Sequence, residues 1–180
     1  MSEVVRQRVG TNEKVVTQPL AMIANASREL VDSMSDIVWA INPLKDNLGD
    51  LTQRMRRFAA DVFTARNIKF DWQTHDLQTK IPIGANVRRE VFLIFKESVN
   101  NIVKHSDCTE VSVKVSLTDK SLEMFLRDDG KGFDTTGESE GHGLLSMRDR
   151  AKGLGGSLEI TSGIGKGTTT SLHVPLERES

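Results

Sequence analysis

With 180 residues, the chain can hold one full domain and an additional element, but not two large domains. Its 24 basic and 25 acidic residues leave a net charge of −1, and without a long basic block no direct nucleic-acid contact is expected. The lone Cys108 rules out an internal disulfide, and the absence of a signal-like or membrane-length apolar run leads us to expect a soluble, cytoplasmic chain. Any membrane anchoring would come from segments absent here.

The first element in chain order is an apolar stripe at Val16, Leu20, Ile23, Ser27, Leu30, Met34, Ile37 and Ile41, spaced 4, 3, 4, 3, 4, 3, 4. That is a heptad seam with one small polar member, and Pro43 ends it by pushing Asn42 out of the helical region. Val5 and Val9 precede a turn at Gly10-Thr11-Asn12, so residues 1–43 read as a helical hairpin. A hairpin cannot bury such a seam alone. The expected solution is a four-helix bundle made by two chains, a homodimer; the alternative is packing on this chain's own globular part.

Residues 44–180 form the second expected domain. Leu48, Leu51, Met55, Phe58, Val62 and Phe63 mark an amphipathic helix begun near Asn47. The neighbouring Arg54, Arg56 and Arg57 read as its solvated face. Residues 67–72 alternate like a strand, and a long helix is expected from about Ala85 to His105, burying Val87, Val91, Ile94 (or Phe95), Ser98 and Ile102. Strands at 110–117 and 122–127 follow, then a polar, glycine-bearing loop at 129–142. A helix over about 144–154 ends at Gly155-Gly156, and strands at 157–161 and 168–174 complete the chain. This order predicts an α+β two-layer sandwich, with helices on one face of a mixed sheet.

Eleven of the 14 glycines fall between Gly130 and Gly167. Six of them stand in three runs: Asp128-Asp129-Gly130-Lys131-Gly132, Gly141-His142-Gly143-Leu144 and Gly165-Lys166-Gly167-Thr168. Repeated glycines beside a carboxylate suit a wrapped, anionic, nucleotide-like ligand. On the long helix, Glu97, Asn101, Lys104 and His105 share one polar face. A carboxylate, an amide oxygen and an ammonium there can organise hydrated Mg²⁺ and bridged phosphates, or can simply make a surface salt bridge. Asp128 ends an apolar strand, where a buried carboxylate can accept from an exocyclic amine. The bland alternative is a plain Asp-Gly turn, with Asp129 as its occupant. Gly141-His142-Gly143-Leu144 opens a helix whose free N–H groups suit phosphate, yet it fits neither a Walker motif nor a dinucleotide fingerprint.

With these motifs in place, residues 47–176 resemble the catalytic, ATP-binding domain of sensor histidine kinases in the GHKL superfamily. Glu97 to His105 is similar to that family's N box, Asp128-x-Gly130-x-Gly132 to its G1 box, and Gly141-His142-Gly143-Leu144 to its G2 box. Gly165-x-Gly167-Thr168 is similar to its last glycine box. The Glu-x-x-x-Asn-x-x-Lys-His-Ser form looks like the subfamily with a HisKA_3-type helix pair, whose response regulators carry helix-turn-helix outputs. The resemblance implies the Bergerat fold, with Asn101 as Mg²⁺ ligand and Asp128 as adenine reader. It implies Lys104 on phosphate, His105 near ribose or phosphates, Thr168 supporting adenine through water, and a lid at 130–143. Glu97 would be an acid–base or metal-orienting group. The implied reaction carries the γ-phosphate of Mg·ATP to a histidine and then to a response regulator.

The sequence departs from this pattern at the acceptor. The four histidines are His75, His105, His142 and His173, and none stands in the first helix, where the family keeps its phospho-acceptor. The chain is therefore expected to bind ATP without phosphorylating itself. The alternatives are a GHKL-type ATPase clamp, an anti-sigma relative, and a nucleotide-inactive dimerisation module.

Overall fold

The computed structural model describes residues 47–75, 82–118, 121–134 and 142–176, with Ile23, Ser27 and Met34 as helical, exposed positions ahead of them. The rest of the expected hairpin lies outside the described residues. The chain divides into two units, Met1–Ile41 and Asn42–Ser180.

Helix α1 spans Leu48–Thr64. Asn47 caps it: its side-chain oxygen accepts the Asp50 N–H at 2.8 Å, a bond worth about 1 kcal/mol. Leu48, Leu51, Met55, Ala59 and Phe63 are its buried stripe. Arg56 and Arg57 are exposed, but Arg54 is half-buried, its guanidinium 4.8 Å above the Phe92 ring. The arginine group is thus only partly a solvated face.

Strand β1 is Lys69–His75 rather than 67–72. Asn67 takes φ 56°, a left-handed turn that asparagine tolerates, so the strand cannot begin there. Helix α2, Ala85–His105, has the expected ends. Its buried face is wider than expected and includes Arg88, Phe92 and Val99, whereas Val87 is only half-buried. The aromatic side chains of these three elements pack together, with Phe63 5.4 Å from Phe70 and Trp72 6.1 Å from Phe95 between centroids.

Strands β2 (Glu110–Leu117) and β3 (Ser121–Asp128), helix α3 (His142–Gly153), and strands β4 (Ser157–Ser162) and β5 (Thr168–Pro175) follow. The sheet order is β1-β2-β3-β5-β4, parallel between β1 and β2 and antiparallel elsewhere. Val111, Val113 and Val115, Leu122, Met124 and Leu126, and Leu172 and Val174 form buried rows at period two. The alternate residues Ser112, Lys114, Phe125 and Arg127 are exposed, so the helices cover one face only. The expected two-layer α+β sandwich is what the chain forms.

Candidate functional site

The inward period of β3 does not stop at Leu126. Two residues on, it places Asp128 on the same covered face, 2 % exposed, at the strand's end. Its Oδ1 accepts the Gly130 N–H at 2.9 Å. Burial pushes the Asp128 carboxyl above its ordinary value, and backbone N–H bonds from Gly130 and Thr168 oppose that rise.

Asp129 points the other way and accepts from Thr109 N (2.8 Å), Thr109 Oγ1 (2.7 Å) and Glu110 N (2.9 Å). These bonds hold its carboxyl below the usual range, the Glu110 N–H contributing most. Asp129 therefore staples β3 to the start of β2, and the Asp-Gly turn bond falls to Asp128 instead.

After Asp128 the chain threads between two fixed turns. Lys131 N–H donates to Ser106 O at 2.8 Å on the α2–β2 side, and Gly165 N–H donates to Lys131 O at 2.6 Å on the β4–β5 side. Gly132 has φ 60°, and any Cβ there would run into the Gly163 carbonyl oxygen. Only glycine fits this crossing. The Thr168 hydroxyl lies 2.9 Å from Ser162 Oγ, and Thr168 pairs in register with Asp128.

Helix α3 closes the third side. A Schellman motif ends it: Gly156 N–H donates to Ala151 O and Gly155 N–H to Lys152 O, both at 2.9 Å, with Gly155 at φ 68°. At its other end, Gly143 and Leu144 open the helix toward α2. The space a Cβ on Gly143 would need is taken by the Glu97 carboxylate.

These elements line a half-open cavity of about 580 Å³. Of the sequence-predicted site residues, Glu97, Asn101, Lys104, His105, Asp128, Gly132, Gly143, Leu144 and Thr168 line it. Gly130 does not, and serves through its bond to Asp128. His142 is exposed at the first residue of α3, away from the lining. Gly141 lies outside the described residues.

Sequence reasoning missed several lining residues, among them Ile102, Leu126, Met147, Ile160 and Thr170. Thr170 had a signal, standing two residues beyond Thr168 on the same strand face. The apolar ones look like ordinary core. Lys131 also borders the cavity and is held by Asp107 at 2.8 Å. Cys108 is half-buried, and burial pushes its thiol up.

The site has an apolar interior ending on one buried carboxylate, and a polar rim of amide, carboxylate, cations and a helix N-terminus. That division suits a ligand with a flat, amine-bearing end and an anionic end. No cluster of three His, Cys, Asp or Glu side chains forms a ready-made metal cage among the described residues. The donors present suit a cation that keeps waters and shares anionic ligand oxygens.

Comparison with known proteins places this geometry in a family. Residues 86–178, over half of the chain, match the family described as "Histidine kinase-, DNA gyrase B-, and HSP90-like ATPase", and the chain belongs to it. The chain is 26% identical over 184 residues to sensor histidine kinase LiaS of Bacillus subtilis, covering 98% of this chain and 48% of that protein. It is 28% identical over 174 residues to the histidine-protein kinase/phosphatase UhpB of Salmonella typhimurium, covering 94% and 33%. The histidine kinase domain of a blue-light activated kinase from Erythrobacter litoralis superposes with a TM-score of 0.61 at 20% identity, covering 88% of this chain and 84% of that one. This last likeness shows the fold. The chain spans about half or less of the length of LiaS and UhpB.

Proposed function

We propose that residues 44–180 are the ATP-binding catalytic part of a two-component sensor histidine kinase, and that residues 1–43 belong to its dimerisation and phosphotransfer bundle. One observation carries most of this reading: a single cavity is lined by the buried Asp128 carboxylate, the Glu97–Asn101–Lys104 stripe and the first turn of α3. Its volume falls within the range of small-ligand sites.

Asp128 accepts from the exocyclic amine of adenine, which a 6-oxo purine cannot supply. The Asn101 side-chain oxygen holds Mg²⁺, which, when bound, neutralises charge on the phosphates. Lys104 and the α3 N–H groups take the phosphate oxygens, with the helix dipole adding to the attraction. Gly143 leaves room for Glu97, which orients water or metal beside them. The chemistry is γ-phosphoryl transfer: the bond from Pγ to the β–γ bridging oxygen breaks and a Pγ–N bond to an imidazole forms. The chain's contribution is positioning and charge neutralisation.

The acceptor histidine is proposed to belong to the other half of the bundle, and a response regulator with a helix-turn-helix output to receive the phosphate. Exposure of Ile23 (62%) and Met34 (65%), both seam members, supports pairing of two chains there. Among the described residues no helix is long and apolar enough to cross a membrane. The test is phosphoryl transfer from γ-labelled ATP to a chain extended N-terminally through the family's histidine box. Acid-labile label on the extended chain, requiring Mg²⁺, supports the proposal. Release of inorganic phosphate with no labelled histidine would favour the hydrolytic clamp, with Glu97 activating water.

A further inference from the structure

Helices α2 and α3 meet at three rungs. Gly143 lies against the Glu97 carboxylate, Met147 Sδ lies 3.4 Å from Ser98 Oγ, and Arg150 Nη1 donates to Glu90 Oε2 at 2.5 Å. The first and last of these contacts pair 143 with 97 and 150 with 90, so the two helices run antiparallel, while the long Met147 side chain reaches back to Ser98 between them. The last rung lies about 10 Å from the first, two helical turns away. Neither Glu90 nor Arg150 lines the cavity.

The three rungs differ in how well they define position. A thioether contact is soft and tolerates sliding. The Glu97–Gly143 contact sits where phosphate would arrive, so it must be remade on binding. The Arg150–Glu90 bond is charge-assisted and directional. It is also sheltered: Glu90 is 13% exposed and Arg150 34%, against 80% and 59% for the surface pair Lys69–Glu110. Arg89 Nη1 lies 3.4 Å from the other Glu90 oxygen, so both carboxylate oxygens are engaged.

We propose that Glu90 and Arg150 are a positioning pair that fixes the register of α3 on α2, and so holds the N–H groups of Gly143 and Leu144 at the phosphate end of the cavity. The proposal rests on the ATP-binding reading for its ligand, but not for the register itself. A slip of one residue would move the α3 N-terminus by about 1.5 Å, half a hydrogen-bond length.

The test uses the whole chain as wild type and as Glu90→Gln, Arg150→Lys, Arg150→Ala, Glu90→Ala and the Glu90→Ala/Arg150→Ala double variant. Two quantities are read: amide exchange at residues 143–147 without ligand, and Mg²⁺-supported affinity for ATP beside affinity for adenosine. Faster exchange in both alanine variants is expected, with ATP affinity lowered roughly three- to tenfold and adenosine affinity unchanged. The double variant should be no worse than Arg150→Ala, and Arg150→Lys should recover part of the loss.

Equal losses for ATP and adenosine would overturn the proposal, since the pair would then only support the fold. Unchanged exchange with ATP affinity within twofold of wild type would also overturn it, as would losses that simply add in the double variant. If alanine at 150 prevents folding, the Gln and Lys variants still decide. A folded wild type that binds no ATP would defeat the ATP reading instead, and the exchange data would still decide the register.

Discussion

Replacing Asp128 with asparagine separates binding from folding in a way few other substitutions here can. The asparagine side chain keeps an oxygen for the Gly130 N–H, now bonded at 2.9 Å, but presents an amide donor where the carboxylate accepted. A hydrogen bond to a charged group is worth about 1.5–3 kcal/mol, so ATP affinity should fall roughly ten- to hundredfold. The fold should not suffer, because a carboxylate 2 % exposed is costly to keep charged and asparagine removes that cost.

The pH dependence has a definite sign. Since burial raises the Asp128 pKa, its ionisation destabilises the fold above that value. The variant should therefore melt at or above wild type at neutral pH. Its advantage should shrink as pH falls through the raised pKa and vanish below the ordinary 3.8. Wild-type ATP affinity should weaken over the same window, as the acceptor is protonated. Calorimetric titration with ATP, beside thermal unfolding from neutral to acid pH, reads both effects. ATP binding by Asp128→Asn within twofold of wild type would show that the Asp128 carboxylate does not accept from adenine. A variant that is markedly less stable at neutral pH would show that the buried charge does not destabilise the fold.

Gly132→Ala should cost about 2–4 kcal/mol, combining a left-handed backbone with a Cβ driven into the Gly163 carbonyl. Gly165→Ala, also at positive φ but with open space, should cost only about 1 kcal/mol; urea unfolding of both isolates the steric part. Asp129→Ala removes three hydrogen bonds and should lower stability by about 1 kcal/mol at neutral pH. Because the Asp129 pKa is depressed, that deficit should hold above 3.8 and fade as pH falls through its folded value. Aspartates at Ile23 and Met34 together should convert a dimer to monomers in light scattering while leaving ATP affinity alone.

Much of this was legible in the sequence, for reasons that differ by element. The ends of α2 and β2 came out as expected because each is bounded by strong local signals and carries a consistent period. Strand β1 was misplaced because its start depends on Asn67 adopting a left-handed turn and its far end on parallel pairing with β2, a tertiary matter. Glu97, Asn101 and Asp128 stood out as polar residues in apolar surroundings. Met147 and Ile160 did not, since an apolar cavity wall and a core have the same composition. Arg88, fully buried on α2, gave no sign at all: amphipathic patterning assigns arginine to solvent.

The most direct measurement is titration of the folded chain with ATP, with and without Mg²⁺, repeated on Asn101→Ala. Saturable binding at one site per chain is expected, strengthened by Mg²⁺ in the wild type. In Asn101→Ala the Mg²⁺ enhancement should be lost while adenosine binding persists. A folded wild type with no measurable ATP binding would contradict the assignment of this cavity, and Mg²⁺ enhancement intact in Asn101→Ala would contradict the proposed metal ligand.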